Sequence, residues 1–244
     1  MKEHSVLNYI SKVLKNMPSD WLNLTTHRLD IYDEKLAKVQ FLTQFEHLFR
    51  GLNSETSALN ELPTAFDYIR LGHPLSCVLE WVIARVNGLD PNNVISFSSK
   101  TIPVLAILRA NLLEGRNTLI TYSGPWPEAL DLHILKDIYG YSFDLKQVNH
   151  VGDIPEFNGS TIFITQQEDL CTLELSPNID FFITTHPITG SVLSVHGAQN
   201  ERYIADIQHV RRRETIAMTP ANCLATLRLI TTTSSIALDS IAFK

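Results

Sequence analysis

Residues 94–122, VISFSSKTIPVLAILRANLLEGRNTLITY, contain two short apolar runs separated by a longer apolar segment. VISFS and TLITY have the length and apolar character of short buried strands. The intervening TIPVLAILRANLLEG has the length of a helix, and Gly115 supplies a helix stop signal. The stretch therefore predicts a β-α-β unit.

The same alternation of apolar runs and helical patterns continues along the chain. It predicts further helices over 74–88, 127–140, 199–213 and 219–242, and further strands over 141–148, 160–165 and 179–185. Strands that alternate with helices of ten to fifteen residues are typical of a mostly parallel sheet buried on both faces. The predicted fold class is therefore α/β, with a mostly parallel sheet sandwiched by helices.

The first part of the chain has a different pattern, because two amphipathic helices are predicted there with no strand between them. They cover 5–17 and 33–52, and the second ends at Gly51. We predict two domains: a helical N-terminal extension over 1–66 and an α/β domain over 67–244. Apolar side chains of the extension either form an exposed interface or belong to a core, the usual role of such stripes; they are Trp21, Leu22, Phe41 and Phe49.

The composition of the 244 residues, 44% hydrophobic and 19% charged, is that of a folded soluble protein. A net charge of −6 argues against nucleic acid as a partner. The sequence has no signal-peptide core and no run of about eighteen apolar residues, so we predict a cytoplasmic protein without membrane insertion. The three cysteines are widely spaced, which predicts reduced thiols. The sequence contains no C-x-x-C or H-x-x-x-H pair, so we predict no metal site.

Loops at strand ends are the natural place for a site in such a sheet. The first, 96–103, leads into a helix, where Ser98, Ser99 and Thr101 either hold a phosphate or simply cap the helix. The second, within FFITTHPITGSVLSVHG (181–197), reads as a strand running into a loop. Its His186 is either a base or, more commonly, a packed and hydrogen-bonded side chain.

One further pattern in the sequence is a candidate site. The basic run HVRRR (209–213) is either an anion or partner patch or a set of arginines favoured by the helix dipole. No nucleophile elbow, P-loop or dinucleotide fingerprint occurs in the sequence. We therefore predict no catalytic residues from motifs.

Four blocks, in order between about residue 66 and residue 240, resemble the cystathionine gamma-synthase/beta-lyase family of fold-type I pyridoxal-phosphate (PLP) enzymes. The blocks begin with YIRLGHP, VISFSSK, IDFFITTHP and ETIAMTP. The first two resemble the family's Y-x-R-x-x-N-P segment, the helix that follows it, and its strand, S-S-G turn and helix. The residues in matching places are Tyr68, Arg70, Pro74, Leu79, Glu80, Gly88, Ser98, Ser99 and Gly115.

The chain departs from the family where the resemblance implies chemistry. In place of the lysine that binds PLP stand Thr184, Thr185 and His186, and no lysine occurs between Lys146 and Lys244. The segment that carries the family's pyridinium-pairing aspartate on an additional strand is short, although it contains Glu168 and Asp169. Lys100 replaces the glycine of the S-S-G turn. Because the sequence ends after the last predicted helix, we expect the family's small C-terminal domain to be absent.

These departures predict a PLP-enzyme-like protein that is not a PLP enzyme: a pseudoenzyme with no cofactor and no catalytic residue. We expect a non-catalytic adapter or structural subunit of a larger assembly, such as a bacterial regulatory or secretion complex, with protein partners.

Two alternatives stay open at this point. In the first, Tyr68, Arg70, Ser98 and Ser99 retain a phosphate ligand or PLP, with Tyr122 or Trp126 stacked on its ring. The resemblance then implies a homodimer, because the family's tyrosine and arginine reach a neighbour's cofactor. In the second, the chain is a PLP-dependent C-S lyase or transferase in which Lys100 forms the imine.

Overall fold

A computed structural model of the chain describes residues 2–23, 34–63, 70–167, 170 and 172–242. The described helices of five or more residues are α1 (Lys2–Asn16), α2 (Glu34–Arg50), α3 (Thr56–Asn60), α4 (Pro74–Asn87), α5 (Ile102–Glu114), a π-helical turn (Ile134–Ile138), α6 (Tyr203–Glu214) and α7 (Pro220–Ala242). The described strands are β1 (Val94–Phe97), β2 (Thr118–Tyr122), β3 (Asp144–Gln147), β4 (Ser160–Gln166), β5 (Phe181–His186) and β6 (Gly190–Val195).

The chain divides into two compact units. The first consists of residues 1–91, 169–172 and 216–244, and the second of residues 92–168 and 173–215. All six strands belong to the second unit. The predicted boundary between residues 66 and 67 lies among residues 64–69, which are outside the described part of the chain, so this boundary stays a prediction.

The six strands form one sheet in the order β1-β6-β5-β4-β2-β3. β5, β4, β2 and β3 are parallel neighbours. β6 is antiparallel to both β5 and β1, so β1 runs in the same direction as β5. Five strands therefore share one direction, which confirms the predicted α/β class with a mostly parallel sheet.

One face of this sheet packs against α5 and α6. Side chains alternate along each strand, so Ile120, Ile162 and Ile183 lie on the same face. They share a buried core with Ile107 of α5 and Ile207 of α6. Each such fully buried aliphatic side chain contributes roughly 1.5–3 kcal/mol through removal from water.

The prediction of a loop after β5 is wrong, because residues 190–195 form the antiparallel strand β6. All six of its residues are buried. The pairing runs from Phe181 opposite Val195 to His186 opposite Gly190, so β5 and β6 form a hairpin with a turn at residues 187–189.

The helix predicted over 127–140 is shorter than expected. Only residues 132–138 are helical. The Asp131 carboxylate accepts hydrogen bonds from the backbone N–H groups of His133 (2.8 Å) and Ile134 (3.1 Å), which places the helix start after Asp131.

The core of the first unit is aromatic. Trp81 of α4 is 1% exposed, and its ring lies edge-on to Phe45 (5.2 Å) and Phe49 (5.1 Å) of α2. Tyr9 of α1 packs edge-on against the same two phenylalanines. The N-terminal helices therefore share one core with α4.

This core corrects part of the interface hypothesis for the N-terminal helices. Trp21 and Phe41 are buried at 6% and 1% exposure and contact each other edge-on, so they are core residues. Phe49 is half-buried against Tyr9 and Trp81. Leu22, at 42% exposure, is the member of that group that remains exposed.

An ion pair lies inside the first unit. The Lys38 amine of α2 is 2.6 Å from the Glu80 carboxylate of α4, with side-chain exposures of 4% and 2%. Lys38 also donates a hydrogen bond to the carbonyl of Pro91 (2.9 Å). Charges this deeply buried depend on each other, because either one alone would lose its hydration without compensation.

Within the described ranges, no helix has the length and apolar character needed to cross a membrane. In the same part of the chain, no group of three or more His, Cys, Asp or Glu side chains is placed to hold a metal ion.

Candidate functional site

The carboxyl ends of β1 and β5 meet at one edge of the sheet in the second unit. Because β6 lies between these strands, the turn from β1 into α5 approaches the turn of the β5–β6 hairpin. The Ser191 hydroxyl donates to the carbonyl of Ser99 (2.6 Å), and the Lys100 amine donates to the carbonyl of Pro187 (2.7 Å). This edge is the candidate site.

Ser99 caps α5. Its hydroxyl accepts hydrogen bonds from the backbone N–H groups of Thr101 and Ile102, both at 3.2 Å. The next residue, Pro103, has no N–H. This contact agrees with the capping interpretation for Ser99, because its hydroxyl binds two of the backbone N–H groups at the start of α5.

The His186 imidazole holds the hairpin turn. Its Nδ1 accepts hydrogen bonds from the backbone N–H groups of Ile188 and Thr189, both at 3.2 Å. An accepting Nδ1 carries no proton, so the neutral ring has its hydrogen on Nε2. The structure thus confirms the interpretation of His186 as a hydrogen-bonded structural side chain.

The two residues before His186 are buried threonines. The hydroxyl of Thr184 donates to the carbonyl of Val192 (3.4 Å), and that of Thr185 to the carbonyl of Thr165 (3.3 Å). Their exposures are 4% and 3%. The end of β5 therefore presents hydroxyl groups engaged with neighbouring strands, and no amine.

Gly190 allows the close approach of the hairpin to β1. Its φ is +122°, and a Cβ at this position would lie 2.1 Å from the Phe97 carbonyl oxygen. Only glycine fits here, since any side chain would collide with backbone. The hairpin turn is thus fixed by a backbone contact as well as by His186 and Lys100.

The aromatic pair after β2 is packed against its own chain. The rings of Tyr122 and Trp126 lie edge-on at 5.2 Å, and the indole N–H donates to the carbonyl of Leu130 (2.6 Å). Both side chains pack against the core of the sheet. Stacking on a ligand ring, which one of the open alternatives requires, stays a prediction.

The predicted binding residues are distributed as follows. Ser98 and Ser99 are adjacent at the edge described above, and both are half-buried. Arg70 is exposed and belongs to the other compact unit. Tyr68, Glu168 and Asp169 lie outside the described residues. The assignment of these residues to a ligand stays a prediction.

One arginine of the basic run at the end of α6, Arg211, is buried and contacts β1. Arg211 is 3% exposed and donates to the carbonyl of Ser96 in β1 (3.0 Å), with its guanidinium over the Phe97 ring. Arg212 and Arg213 are exposed. The patch interpretation therefore does not apply to Arg211.

A polar cluster lies at the opposite edge, where the strands begin. Arg116 donates to the carbonyl of Gly159 (2.6 Å) and to the Tyr203 hydroxyl (3.2 Å), and Tyr203 donates to the Asn111 side chain (2.7 Å). Burial raises the pKa of Tyr203, so it remains a neutral donor. The members of this cluster satisfy one another, which makes it structural.

Sequence comparison does not identify the chain. No family model matches it, and no curated protein matches it.

Solved structures with similar folds include a cystathionine gamma-synthase and a metB protein. Cystathionine gamma-synthase from Xanthomonas oryzae is 10% identical and aligns with a TM-score of 0.51 over 93% of this chain and 64% of its own. The metB protein of Corynebacterium glutamicum is 11% identical, with a TM-score of 0.48 over 72% of this chain and 55% of its own. This chain has the fold of fold-type I PLP enzymes, which confirms the predicted resemblance at the level of fold. It spans less than two thirds of the length of either protein.

The residues at the candidate site do not fit PLP as the resemblance requires. The end of β5 carries no amine, and the Lys100 amine is bound to the neighbouring turn. β4 pairs directly with β5 over five residue pairs, so no strand separates them where the resemblance implies one with an aspartate. The described edge therefore lacks the amine and the acidic strand with which the family holds PLP.

Sequence reasoning missed two features of this edge. The contact between Lys100 and Pro187 joins residues 87 positions apart, and no local pattern indicates it. Ile188 at the hairpin tip is 80% exposed. The only sequence signal for the hairpin was Gly190 between two apolar runs, which is also compatible with the predicted loop.

Proposed function

We propose that this chain is a non-catalytic protein with a PLP-enzyme fold that binds protein partners as an adapter or structural subunit of a larger assembly. One observation carries the proposal: the polar groups at the carboxyl edge of the sheet are used to hold its own turns. Ser99 caps α5, His186 binds the hairpin backbone, and Lys100 binds Pro187. A site for PLP chemistry needs these groups directed at a ligand.

The same contacts support a role in protein binding. They fix a turn that presents Ile188, 80% exposed, to solvent. An apolar side chain on a fixed backbone loses little conformational freedom on binding, which is the property of an interface anchor. The hairpin tip is therefore the surface that we assign to a partner.

The absence of PLP chemistry can be tested with the full chain and PLP alone. We expect no stable yellow imine, and after borohydride reduction no adduct concentrated on one lysine. We also expect no rise in melting temperature with PLP or inorganic phosphate, because a ligand that binds only the folded state would raise it.

Two lysine variants distinguish our proposal from the alternative in which Lys100 forms an imine with PLP. A stoichiometric adduct that disappears in Lys100→Ala and persists in the control Lys12→Ala, an exposed lysine of α1, would establish the imine alternative and contradict our proposal. Stabilisation by phosphate without colour would support the ligand-binding alternative instead.

Binding through the hairpin tip can be tested by comparing three versions of the full chain as bait in host extract. We expect Ile188→Ser to lose at least one protein that wild type and Leu113→Ser both retain. Leu113 is a matched control because it is 82% exposed on α5. Identical sets of captured proteins for all three baits would refute the assignment of the hairpin tip.

A further inference from the structure

β3 forms one end of the described sheet, so one side of its backbone faces away from the neighbouring strand β2. The Val148 N–H donates to the carbonyl of Tyr122 in β2 (2.9 Å). Backbone groups of alternate residues point to opposite sides of a strand, so those of Asp144 and Lys146 also face β2. Those of Leu145 and Gln147 point outward, where the described part of the chain has no further strand.

The side chains of β3 also alternate. Asp144 and Lys146 are exposed on one face of the strand. Leu145 is on the other face, where it packs against the core of the sheet. A carboxylate and an ammonium group thus stand two residues apart on the same side of an edge strand.

The helical turn after β2 lies over this core-facing side. The Lys136 amine is 4.8 Å from the centre of the Phe143 ring, which immediately precedes β3. Ile138 and Tyr139, at the end of the same turn, are 67% and 54% exposed. The edge strand is therefore accompanied by exposed apolar surface.

An antiparallel pairing of two copies of β3 about a two-fold axis at Leu145 would give partners to the outward backbone groups of Leu145 and to the side chains of Asp144 and Lys146. Leu145 would face itself in a hydrogen-bonded pair, which uses its outward N–H and carbonyl. Asp144 of each copy would face residue 146 of the other in a non-hydrogen-bonded pair, where opposing side chains are closest. Lys146 donates to the Asp153 carbonyl (3.2 Å), and an ammonium group has two further N–H donors.

The charges of Asp144 and Lys146 favour the antiparallel register centred on Leu145 over other pairings of two β3 strands. A parallel in-register pairing would place like charges opposite each other, and an antiparallel pairing shifted by one residue would place Lys146 opposite Leu145. Charged residues on an edge strand normally prevent uncontrolled pairing. Here they permit the one arrangement in which both carboxylates meet ammonium groups.

We propose that this chain forms a symmetric homodimer through antiparallel pairing of β3, with two Asp144–Lys146 ion pairs across the axis. The interface is distinct from the hairpin tip and does not depend on the proposed adapter role. It gives a continuous sheet through both copies.

Charge exchange tests this pairing in the full chain by analytical ultracentrifugation over a concentration series. We expect wild type to show a monomer–dimer equilibrium. Asp144→Lys or Lys146→Asp alone should raise the dimer dissociation constant roughly tenfold or more, since like charges then face each other at two places.

Two combinations should restore the dimer. One is an equimolar mixture of the two single variants, and the other is the double variant D144K/K146D. Far-UV circular dichroism checks that each variant is folded. A wild type that remains monomeric at every concentration, single variants that dimerise like wild type, or a failure of both combinations to restore dimerisation would each overturn the proposal.

Discussion

Replacing Lys38 by methionine is expected to lower the free energy of unfolding by about 3–5 kcal/mol, because the change leaves the Glu80 carboxylate buried without its counterion. The pair is 2.6 Å apart, and neither side chain exceeds 4% exposure. Urea unfolding followed by tryptophan fluorescence measures the loss. Two of the three tryptophans, Trp21 and Trp81, belong to the unit that contains the pair.

The double variant Lys38→Met/Glu80→Leu separates loss of the pair from loss of side-chain volume. Since it removes both charges, it should recover most of the stability lost in the single variant. Lys12→Met, at an exposed position of α1, is the control and should stay within about 0.5 kcal/mol of wild type. A single variant as stable as this control would show that the pair contributes no net coupling between α2 and α4.

Trp81→Ala is expected to destabilise the chain by about 3–5 kcal/mol, because it opens a large cavity in the aromatic core of the first unit. The side chain is 1% exposed, and its indole N–H donates to the Glu46 carboxylate (2.9 Å). Urea unfolding followed by far-UV circular dichroism is the suitable measurement, since the variant removes a fluorophore.

Leu113→Ala provides the comparison for this change, because Leu113 is 82% exposed and its truncation leaves no cavity. A loss below about 1 kcal/mol for Trp81→Ala would contradict the description of this core, given the usual cost of truncating a buried tryptophan. If the expected loss is found, deletion of α1 and α2 is unsuitable for mapping partners, because it would expose Trp81.

Much of the fold was predictable because its elements carry strong local signals. α4 and α5 are apolar segments followed by Gly88 and Gly115, and both glycines adopt the left-handed conformation that ends a helix. β6 was missed because GSVLSV carries small and hydroxylated residues that also suit a loop. Its identity as a strand depends on pairing with β1 and β5, which local pattern does not show.

The candidate site was predictable in part. The preference of serine for helix starts indicated the role of Ser99. His186 is a hydrogen-bonded structural side chain, which is the more common role for a histidine next to an apolar strand. The sequence left Trp21 and Phe41 open between an interface and a core, because amphipathic stripes do not reveal what covers them, and the structure places both in the core. The Lys100–Pro187 contact depends on tertiary structure that brings distant turns together.

The direct pairing of β4 with β5 bears on any attempt to engineer catalysis into this scaffold. β4 and β5 are hydrogen-bonded neighbours over five consecutive residue pairs, so they are separated by the usual distance between adjacent strands. No room for another strand exists between them. A single lysine introduced at the end of β5 would supply an amine. It would not supply the aspartate that, in the resembling family, pairs with the pyridinium nitrogen of the cofactor. Conversion would require insertion of a complete strand with its crossover, a change that no series of point substitutions provides.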